Sequence, residues 1–185
     1  LGVTSEGEYF DAEFNSLVSS KELVRRLNEQ MAAEMEVKDA VLLPDNAKNA
    51  MSIVAASDYI ITILDTVPAE VKEQMLALAP HLLEKERIEI LKKTKKNEKI
   101  EDIRPGILKL SVESYALTKT DELYMLLATG SEYNLKPELV IQALCREIGY
   151  EYKRFDYKIH RLETYMKNDE GKLVSLLQSG TRIEE

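Results

Sequence analysis

Apolar residues in this chain recur with two periods that alternate from one segment to the next, and this alternation restricts the fold more than any other feature. A period of two, as at residues 8–14, predicts a half-buried strand. Spacings of three and four, as at residues 19–31, predict a helix, and Ser19 and Glu22 at its start have the spacing of a capping box. The chain is therefore expected to combine strands and helices in an α+β fold.

The same periodicities assign the other segments. Strands are predicted at residues 8–14, 37–43, 59–64, 87–91, 107–112, 124–128 and 157–166. Helices are predicted at residues 19–31, 49–56, 68–78 and 137–148. We expect Pro80 to break or kink the third helix, and residues 167–185 to contain one short apolar run and then fray.

The order of these segments predicts a ferredoxin-like sandwich, with a mostly antiparallel sheet and helices on one face, over residues 57–185. Residues 1–56 are expected to form a partial N-terminal strand–helix–strand unit. Leu1 and Gly2 come without an initiator methionine and run directly into a strand-like segment. We therefore expect this first unit to be truncated.

The charge balance limits the classes of partner. The net charge is −8, with 33 acidic residues against 25 Lys and Arg, so any nucleic-acid binding needs a local basic patch. No apolar run approaches the ~20 residues of a membrane span, and no signal segment precedes the first strand, so the cytoplasm is the expected location. No membrane association is expected.

Cysteine usage excludes several kinds of site. Cys145 is the only cysteine, which rules out an internal disulfide, a thiolate cluster and a CxxC redox pair. No group of His, Cys, Asp or Glu has metal-ligand spacing, and no glycine-rich phosphate loop is present. We therefore predict no metal and no cofactor.

A lysine-rich segment stands against the overall acidity. Residues 92–99 carry five lysines, which are Lys92, Lys93, Lys95, Lys96 and Lys99. These residues are candidates for contacts with RNA phosphates or with an acidic partner. A solvated loop, or an edge strand protected by lysines, is the alternative. No aromatic residue lies between the lysines, so the segment offers no platform on which bases could stack.

Two turns are further candidates for anion binding. Arg104, in the sequence DIRP, could hold a carboxylate or phosphate with two hydrogen bonds, or it could pair with an acid and lock the loop to the body. Gly130, Ser131, Asn134 and Lys136 lie between the strand at 124–128 and the helix at 137–148, where backbone amides can bind an anion. A well-formed turn without a ligand explains the second segment equally well.

His160 and Arg161 on the last predicted strand form the remaining candidate. A histidine can transfer protons near neutral pH, but no nucleophile or acid partner is evident nearby in the sequence. A structural role is therefore the default expectation for this pair.

Several stretches make the chain recognisable. They are LGVTSEGEYFD at 1–11, KNAMSIVAASDY at 48–59, KKTKKNEKIEDIRP at 92–105, LLATGSEYNLKPE at 126–138 and, more loosely, IHRLETY at 159–165. In this order they resemble the radical SAM-linked family of uncharacterised bacterial proteins. The resemblance implies a domain of unknown function that occurs alone or at the C-terminal end of larger radical SAM proteins.

The resemblance has further implications. Family members usually begin with an additional strand and helix that contain a His-Leu-Asp motif, which agrees with the expected truncation. Their genes tend to lie near those of RNA-processing and ribosomal proteins, which associates the family with RNA. A radical SAM cluster needs three closely spaced cysteines, so a chain with one cysteine can serve such chemistry only as an accessory.

Three functions follow as hypotheses. The first is an accessory binding module that presents RNA or a protein substrate to a radical SAM protein, through the lysine segment and the turn at 130–137. The second is a small enzyme or binding protein for an anionic metabolite, in which Arg104, Lys136 and His160 converge. The third is a structural protein–protein interaction domain with an exposed apolar patch.

Overall fold

One mixed sheet organises the chain. The computed structural model describes residues 2–93, 98–115, 120–131 and 133–184. Its strands are β1 (Val3–Ser5), β2 (Val54–Ile63), β3 (Glu89–Lys93), β4 (Glu98–Asp102), β5 (Ile107–Tyr115), β6 (Thr120–Ala128), β7 (Tyr157–Lys167) and β8 (Leu173–Ser175). Its helices are α1 (Ser20–Asn28), α2 (Ala50–Ile53), α3 (Ala69–Leu82) and α4 (Pro137–Glu147), with short 3-10 turns at Arg104–Gly106, Arg154–Asp156 and Leu176–Ser179.

The main sheet has the order β1-β7-β2-β6-β5, and β8 pairs with β7. The β1–β7 pair is parallel, and the other pairs in this sheet are antiparallel. Strands β3 and β4 form a separate antiparallel hairpin. The predicted α+β class with a mostly antiparallel sheet is therefore confirmed.

The core lies between one face of the sheet and the pair α3 and α4. Alternate residues of the inner strands point into it, because successive side chains of a strand face opposite ways. The core residues of β2 and β6 are Tyr59, Ile61, Ile63, Leu123, Met125 and Leu127. Met75 and Ala79 from α3, and Val140, Ile141 and Leu144 from α4, cover them.

Two of the predicted N-terminal strands are wrong. Residues 8–14 contain no strand, and Phe10 and Phe14 are 63% and 53% exposed. Residues 37–43 are extended, but Leu42 makes only an isolated bridge to Thr181. Alternation indicates an extended chain with two unlike faces, but it does not supply a neighbouring strand. The strand that does form in the N-terminal segment is β1 at Val3–Ser5, which lies before the predicted strand at residues 8–14.

Helix boundaries differ from prediction for local reasons. Helix α1 begins as predicted, and the Ser19 hydroxyl accepts a hydrogen bond from the Glu22 amide at 3.3 Å, but the helix ends at Asn28. Helix α2 ends at Ile53, because the apolar run after it continues as β2. Helix α3 continues past Pro80 to Leu82, beyond the predicted end at residue 78, and Leu83 is its C-cap. A proline removes one hydrogen bond to the preceding turn, and α3 ends two residues after Pro80.

The C-terminal tail is more ordered than we predicted. Leu173–Ser175 forms β8 beside β7, and Leu176 is buried. The Ser20 amide donates to the carbonyl of Ile183 at 3.0 Å, which joins the tail to the first turn of α1. The part of the tail after residue 177, where fraying was expected, thus makes backbone hydrogen bonds to the rest of the fold.

Two observations bear on the predicted division at residues 56 and 57. Strand β2 begins at Val54, and β1 lies in the same sheet as β7.

Within the described ranges, no helix is both long enough and apolar enough to cross a membrane.

Candidate functional site

Three of the five lysines lie on the β3–β4 hairpin. The register places Lys92 opposite Lys99 and Lys93 opposite Glu98. Lys95 and Lys96 lie outside the described residues. The hairpin backbone thus holds two lysines at facing positions.

The base of the hairpin is anchored in the core. Ile88 and Ile90 are buried, as their spacing in the sequence predicted. Leu91 and Ile100 are opposite each other on the two strands, and they are 49% and 63% exposed. The hairpin therefore has a buried inner face and an outer face with an exposed apolar pair.

Asp102 and Arg104 fix the turn that follows the hairpin. The Asp102 carboxylate accepts hydrogen bonds from the amides of Ile88 (2.9 Å) and Arg104 (3.0 Å), and both bonds lower the pKa of this carboxyl. The Arg104 guanidinium donates to the carbonyl of Leu83 at 3.1 Å and to that of Ile107 at 3.5 Å. Arg104 thus locks the turn to the end of α3 through carbonyl oxygens.

The turn at Arg104–Gly106 packs directly against the loop that precedes α4. A β-carbon on Gly106 would lie 2.4 Å from the Tyr133 ring and 3.0 Å from the Leu135 side chain. Leu135 is fully buried, and its amide donates to the carbonyl of Ala128 at 3.0 Å. The two turns that the sequence analysis selected are therefore neighbours in space.

Four of the predicted anion-binding residues lie on this second loop. Ser131, Asn134 and Lys136 are exposed. Gly130 is pressed against β2, since a β-carbon there would lie 2.7 Å from the carbonyl oxygen of Val54. The loop thus presents exposed polar side chains on a rigid backbone, next to the base of the hairpin.

His160 and Arg161 connect β7 to the N-terminal segment. The His160 ring bonds Thr4 Oγ1 at 2.8 Å and Glu6 Oε1 at 3.1 Å, and the bond from His160 is the main cause that lowers the pKa of Glu6. Arg161 donates to Glu8 at 2.7 Å, and its guanidinium lies 5.7 Å from the centre of the Tyr59 ring. These contacts fasten residues 4–8 to the sheet, which is the structural role expected by default.

Arg104 and His160 do not share a site. The Arg104 guanidinium contacts Ile107 at the start of β5, whereas His160 lies on β7. Strands β2 and β6 separate β5 from β7 in the sheet. Neighbouring strands are ~4.8 Å apart, so the two side chains belong to distant parts of the sheet.

A polar network on the sheet face opposite the core was missed by the sequence analysis. Asp58 on β2 is 5% exposed. Its carboxylate accepts hydrogen bonds from the hydroxyls of Tyr124 (3.1 Å) and Tyr165 (3.0 Å) and from the amide of Glu163 (2.8 Å). A buried carboxylate is tolerated when several donors surround it in this way.

The network continues through Glu163 to the N-terminal segment. The Tyr9 hydroxyl lies 2.8 Å from both the Glu163 carboxylate and the Ser175 hydroxyl. Burial raises the pKa of Tyr9 to about 12, with a further contribution from Glu163 that Ser175 opposes. Burial, followed by the charge of Asp58, also raises the pKa values of Tyr124 and Tyr165 above their ordinary range.

One signal in the sequence could have revealed this network. Asp58 interrupts an otherwise apolar strand, and an acid in such a place needs donors from neighbouring strands. Tyr9 and Asp58 both lie in stretches that carry the family resemblance.

The single cysteine lines a cleft of about 680 Å³ between β3 and α4, beside Leu91, Arg146 and Tyr150. Its thiol is buried and lies 3.2 Å from the Tyr157 hydroxyl. Burial raises the pKa of the Cys145 thiol, which disfavours the reactive thiolate. Among the described residues, no group of three His, Cys, Asp or Glu side chains is placed to hold a metal ion.

Comparison with known proteins gives a family without an assigned activity. A family model for an uncharacterized protein conserved in bacteria (DUF2344) matches residues 1–137. No curated protein and no solved structure matches the chain.

Replacement of Gly106 tests the contact between the two turns. We expect Gly106→Ala to lower the free energy of unfolding by about 1–3 kcal/mol, because its β-carbon overlaps the Tyr133 ring. Urea unfolding measures the loss. In a Tyr133→Ala background the same substitution should cost at least ~1 kcal/mol less. An equal cost in both backgrounds would show that the turn and the loop are not in contact.

Removal of the Asp58 carboxylate tests the polar network. We expect Asp58→Ala to lower the free energy of unfolding by about 2–4 kcal/mol, because two tyrosine hydroxyls and one amide lose their acceptor. Asp58→Asn is the matched control, since it keeps the shape and one acceptor oxygen, and it should cost clearly less. Thermal or urea unfolding measures the stability of both variants. Similar losses of unfolding free energy in Asp58→Ala and Asp58→Asn would argue against the network.

Alkaline titration tests the raised pKa of Tyr9. The pKa of Tyr9 in the folded state lies above its ordinary value near 10, so this group stabilises the fold below pH ~10. That contribution is lost as the pH rises through about 12. The ultraviolet difference between wild type and Tyr9→Phe should therefore show a tyrosinate component with a midpoint near 12. A component near 10 in a protein that remains folded would contradict the buried hydrogen bonds of Tyr9.

Proposed function

The chain belongs to the family of uncharacterised proteins conserved in bacteria whose model spans residues 1–137, and we propose that it is an accessory binding module that presents RNA to a radical SAM partner. The observation that carries this proposal is the β3–β4 hairpin, which concentrates lysines in a protein of net charge −8. The members assigned to RNA binding are Lys92, Lys93, Lys95, Lys96 and Lys99.

The electrostatics of the hairpin favour an anionic ligand. Lys92 and Lys99 occupy facing positions in the backbone register, and five lysines fall within residues 92–99, so phosphates bound there would meet several positive charges. The rest of the molecule is strongly acidic, so it repels a polyanion and restricts binding to the hairpin. RNA carries a phosphate on every nucleotide, so successive phosphates could lie along the hairpin.

The chemistry of the hairpin favours contact with the RNA backbone rather than with bases. Lysine provides a point charge and three donors for phosphate oxygens, and no aromatic residue interrupts residues 92–99. Binding is therefore expected to depend on salt and only weakly on sequence. The exposed loop residues Ser131, Asn134 and Lys136 lie beside the base of the hairpin and extend the contact.

The accessory role rests on cysteine content and on the family resemblance. One cysteine cannot hold an iron–sulfur cluster of the radical SAM type, so the chemistry belongs to the partner. The exposed pair Leu91 and Ile100 on the outer face of the hairpin suits contact with that partner protein. Both an RNA substrate and such a partner would place the complex in the cytoplasm.

A ferredoxin-like arrangement of residues 54–167 belongs to the same proposal. The order β7-β2-β6-β5, with α3 after β2 and α4 after β6, supports it. This arrangement leaves the hairpin as an insertion between α3 and β5, with Ile88 and Ile90 at its base packed in the core.

The metabolite hypothesis receives less support. It needs Arg104, Lys136 and His160 in one pocket, but two strands separate the elements that carry Arg104 and His160. The side chain of Arg104 is also engaged by carbonyl oxygens. A purely structural domain explains the exposed apolar pair, and in that case the lysines only keep the hairpin solvated.

Removal of the lysines tests the proposal. The variant in which Lys92, Lys93, Lys95 and Lys96 become Ala should bind bulk cellular RNA on the order of 10- to 100-fold more weakly at low salt. The slope of log K against log salt should fall by up to about 3, because up to four phosphate contacts are lost. Filter binding or fluorescence anisotropy over a salt series measures both quantities.

The matched control removes four exposed lysines elsewhere, namely Lys21, Lys48, Lys153 and Lys158, and so changes the net charge equally. This control should retain most of the binding. Equal losses of RNA affinity in the two variants would show that net charge, rather than the hairpin, determines binding. If the hairpin variant still binds RNA as tightly as wild type, the hairpin is not the RNA-binding site. If polyglutamate competes as strongly as RNA does, an acidic protein is the partner instead.

A further inference from the structure

Strand β5 forms an edge of the main sheet. It pairs with β6 on one side, and in the part of the chain that the structure describes no strand lies on its other side. With nine residues it is long for an edge strand, and free backbone amides and carbonyls along such an edge can pair with another strand.

The two faces of β5 differ in character. Leu110 is buried, and Val112 packs against the core, so these residues face α3. Lys109, Ser111 and Glu113 lie on the opposite face, where Lys109 Nζ is 3.1 Å from the Glu113 carboxylate. A basic and an acidic residue are thus placed symmetrically about Ser111.

We propose that β5 pairs with β5 of a second copy of this chain, in antiparallel register centred on Ser111. A two-fold axis through this position brings Lys109 of each copy opposite Glu113 of the other. On the core side the same register brings Leu110 opposite Val112. The dimer therefore adds two intermolecular pairs of opposite charge to the Lys109–Glu113 pair within each copy, and it extends the apolar layer from one copy into the other.

Charge selects this register over its neighbours. A two-fold pair must join residues that face the same side of the sheet. A register centred on Lys109 opposes two lysines, and one centred on Glu113 opposes two glutamates. A register centred on Leu110 or Val112 forms no Lys109–Glu113 pair. Only the register centred on Ser111 places Lys109 of each copy opposite Glu113 of the other copy.

The start of the strand fits the same partner. Leu108 is the additional residue of a bulge between Ile107 and Lys109, and it is 48% exposed. In the proposed register Leu108 faces Ser114 of the second copy, which shields it from water. Because of the bulge, regular pairing of β5 begins at Lys109, which is the first residue of the charge pairs in the proposed dimer.

Reversal of charge tests the register. Wild-type protein should sediment as a dimer at micromolar concentrations. Lys109→Glu and Glu113→Lys should each weaken the dimer on the order of 10- to 100-fold, because each loses two attractive pairs and creates two repulsive ones. The double variant should restore dimerisation. Lys158→Glu, on the interior strand β7, changes the charge equally and should leave the dimer intact.

Each contrary result overturns the proposal. A monomeric wild type would mean that Lys109 and the bulge protect the edge from pairing. A dimer unaffected by either single variant would use another surface, and a double variant that stays monomeric would exclude this register.

A second measurement on wild-type protein does not depend on the variants. Amide hydrogen exchange of residues 108–114 should slow as the protein concentration rises, because the amides that point away from β6 become hydrogen-bonded in the dimer. Exchange of these amides that is independent of concentration would contradict pairing through β5.

Discussion

The position of β2 between β6 and β7 is the constraint on which the rest of the structure depends. A strand with neighbours on both sides must form backbone hydrogen bonds to both of them. Its side chains must fit the layer on one face of the sheet and the different layer on the other face. Tyr59, Ile61 and Ile63 supply the apolar layer beneath α3 and α4. Asp58 supplies the centre of the polar layer on the opposite face, where tyrosine hydroxyls from both neighbouring strands reach it.

This division has a consequence for where the molecule can bind. The core side is closed by helices, and the polar side is held together by internal hydrogen bonds through Asp58 and Glu163. His160 and Arg161 are occupied in fastening residues 4–8 to the same sheet. The hairpin, the loop before α4 and the edge of β5 carry exposed groups that these contacts do not occupy. The two proposals use these surfaces separately: the hairpin and the loop bind RNA, and the edge of β5 binds a second copy.

The sequence predicted the parts of the fold in which local pattern and tertiary contacts agree. The strands predicted at residues 107–112, 124–128 and 157–166 lie within β5, β6 and β7, and the one predicted at 59–64 overlaps β2 through residue 63. The helix after Pro137 ends before a glycine with a positive φ. The pattern failed at residues 8–14 and 37–43, where an extended amphipathic chain finds no regular partner. The network around Asp58 could not be predicted, because its donors come from β6 and β7, and their register is set only by the folded sheet.

The central claim is that RNA contacts the β3–β4 hairpin, and backbone amide chemical shifts during titration with a short single-stranded RNA test it most directly. The account predicts that the largest changes occur at residues 89–102 and in the neighbouring turns at 104–106 and 130–136. Residues around Asp58 and His160 should change little. The largest changes along β7, or no changes in the hairpin at saturating RNA, would contradict the account.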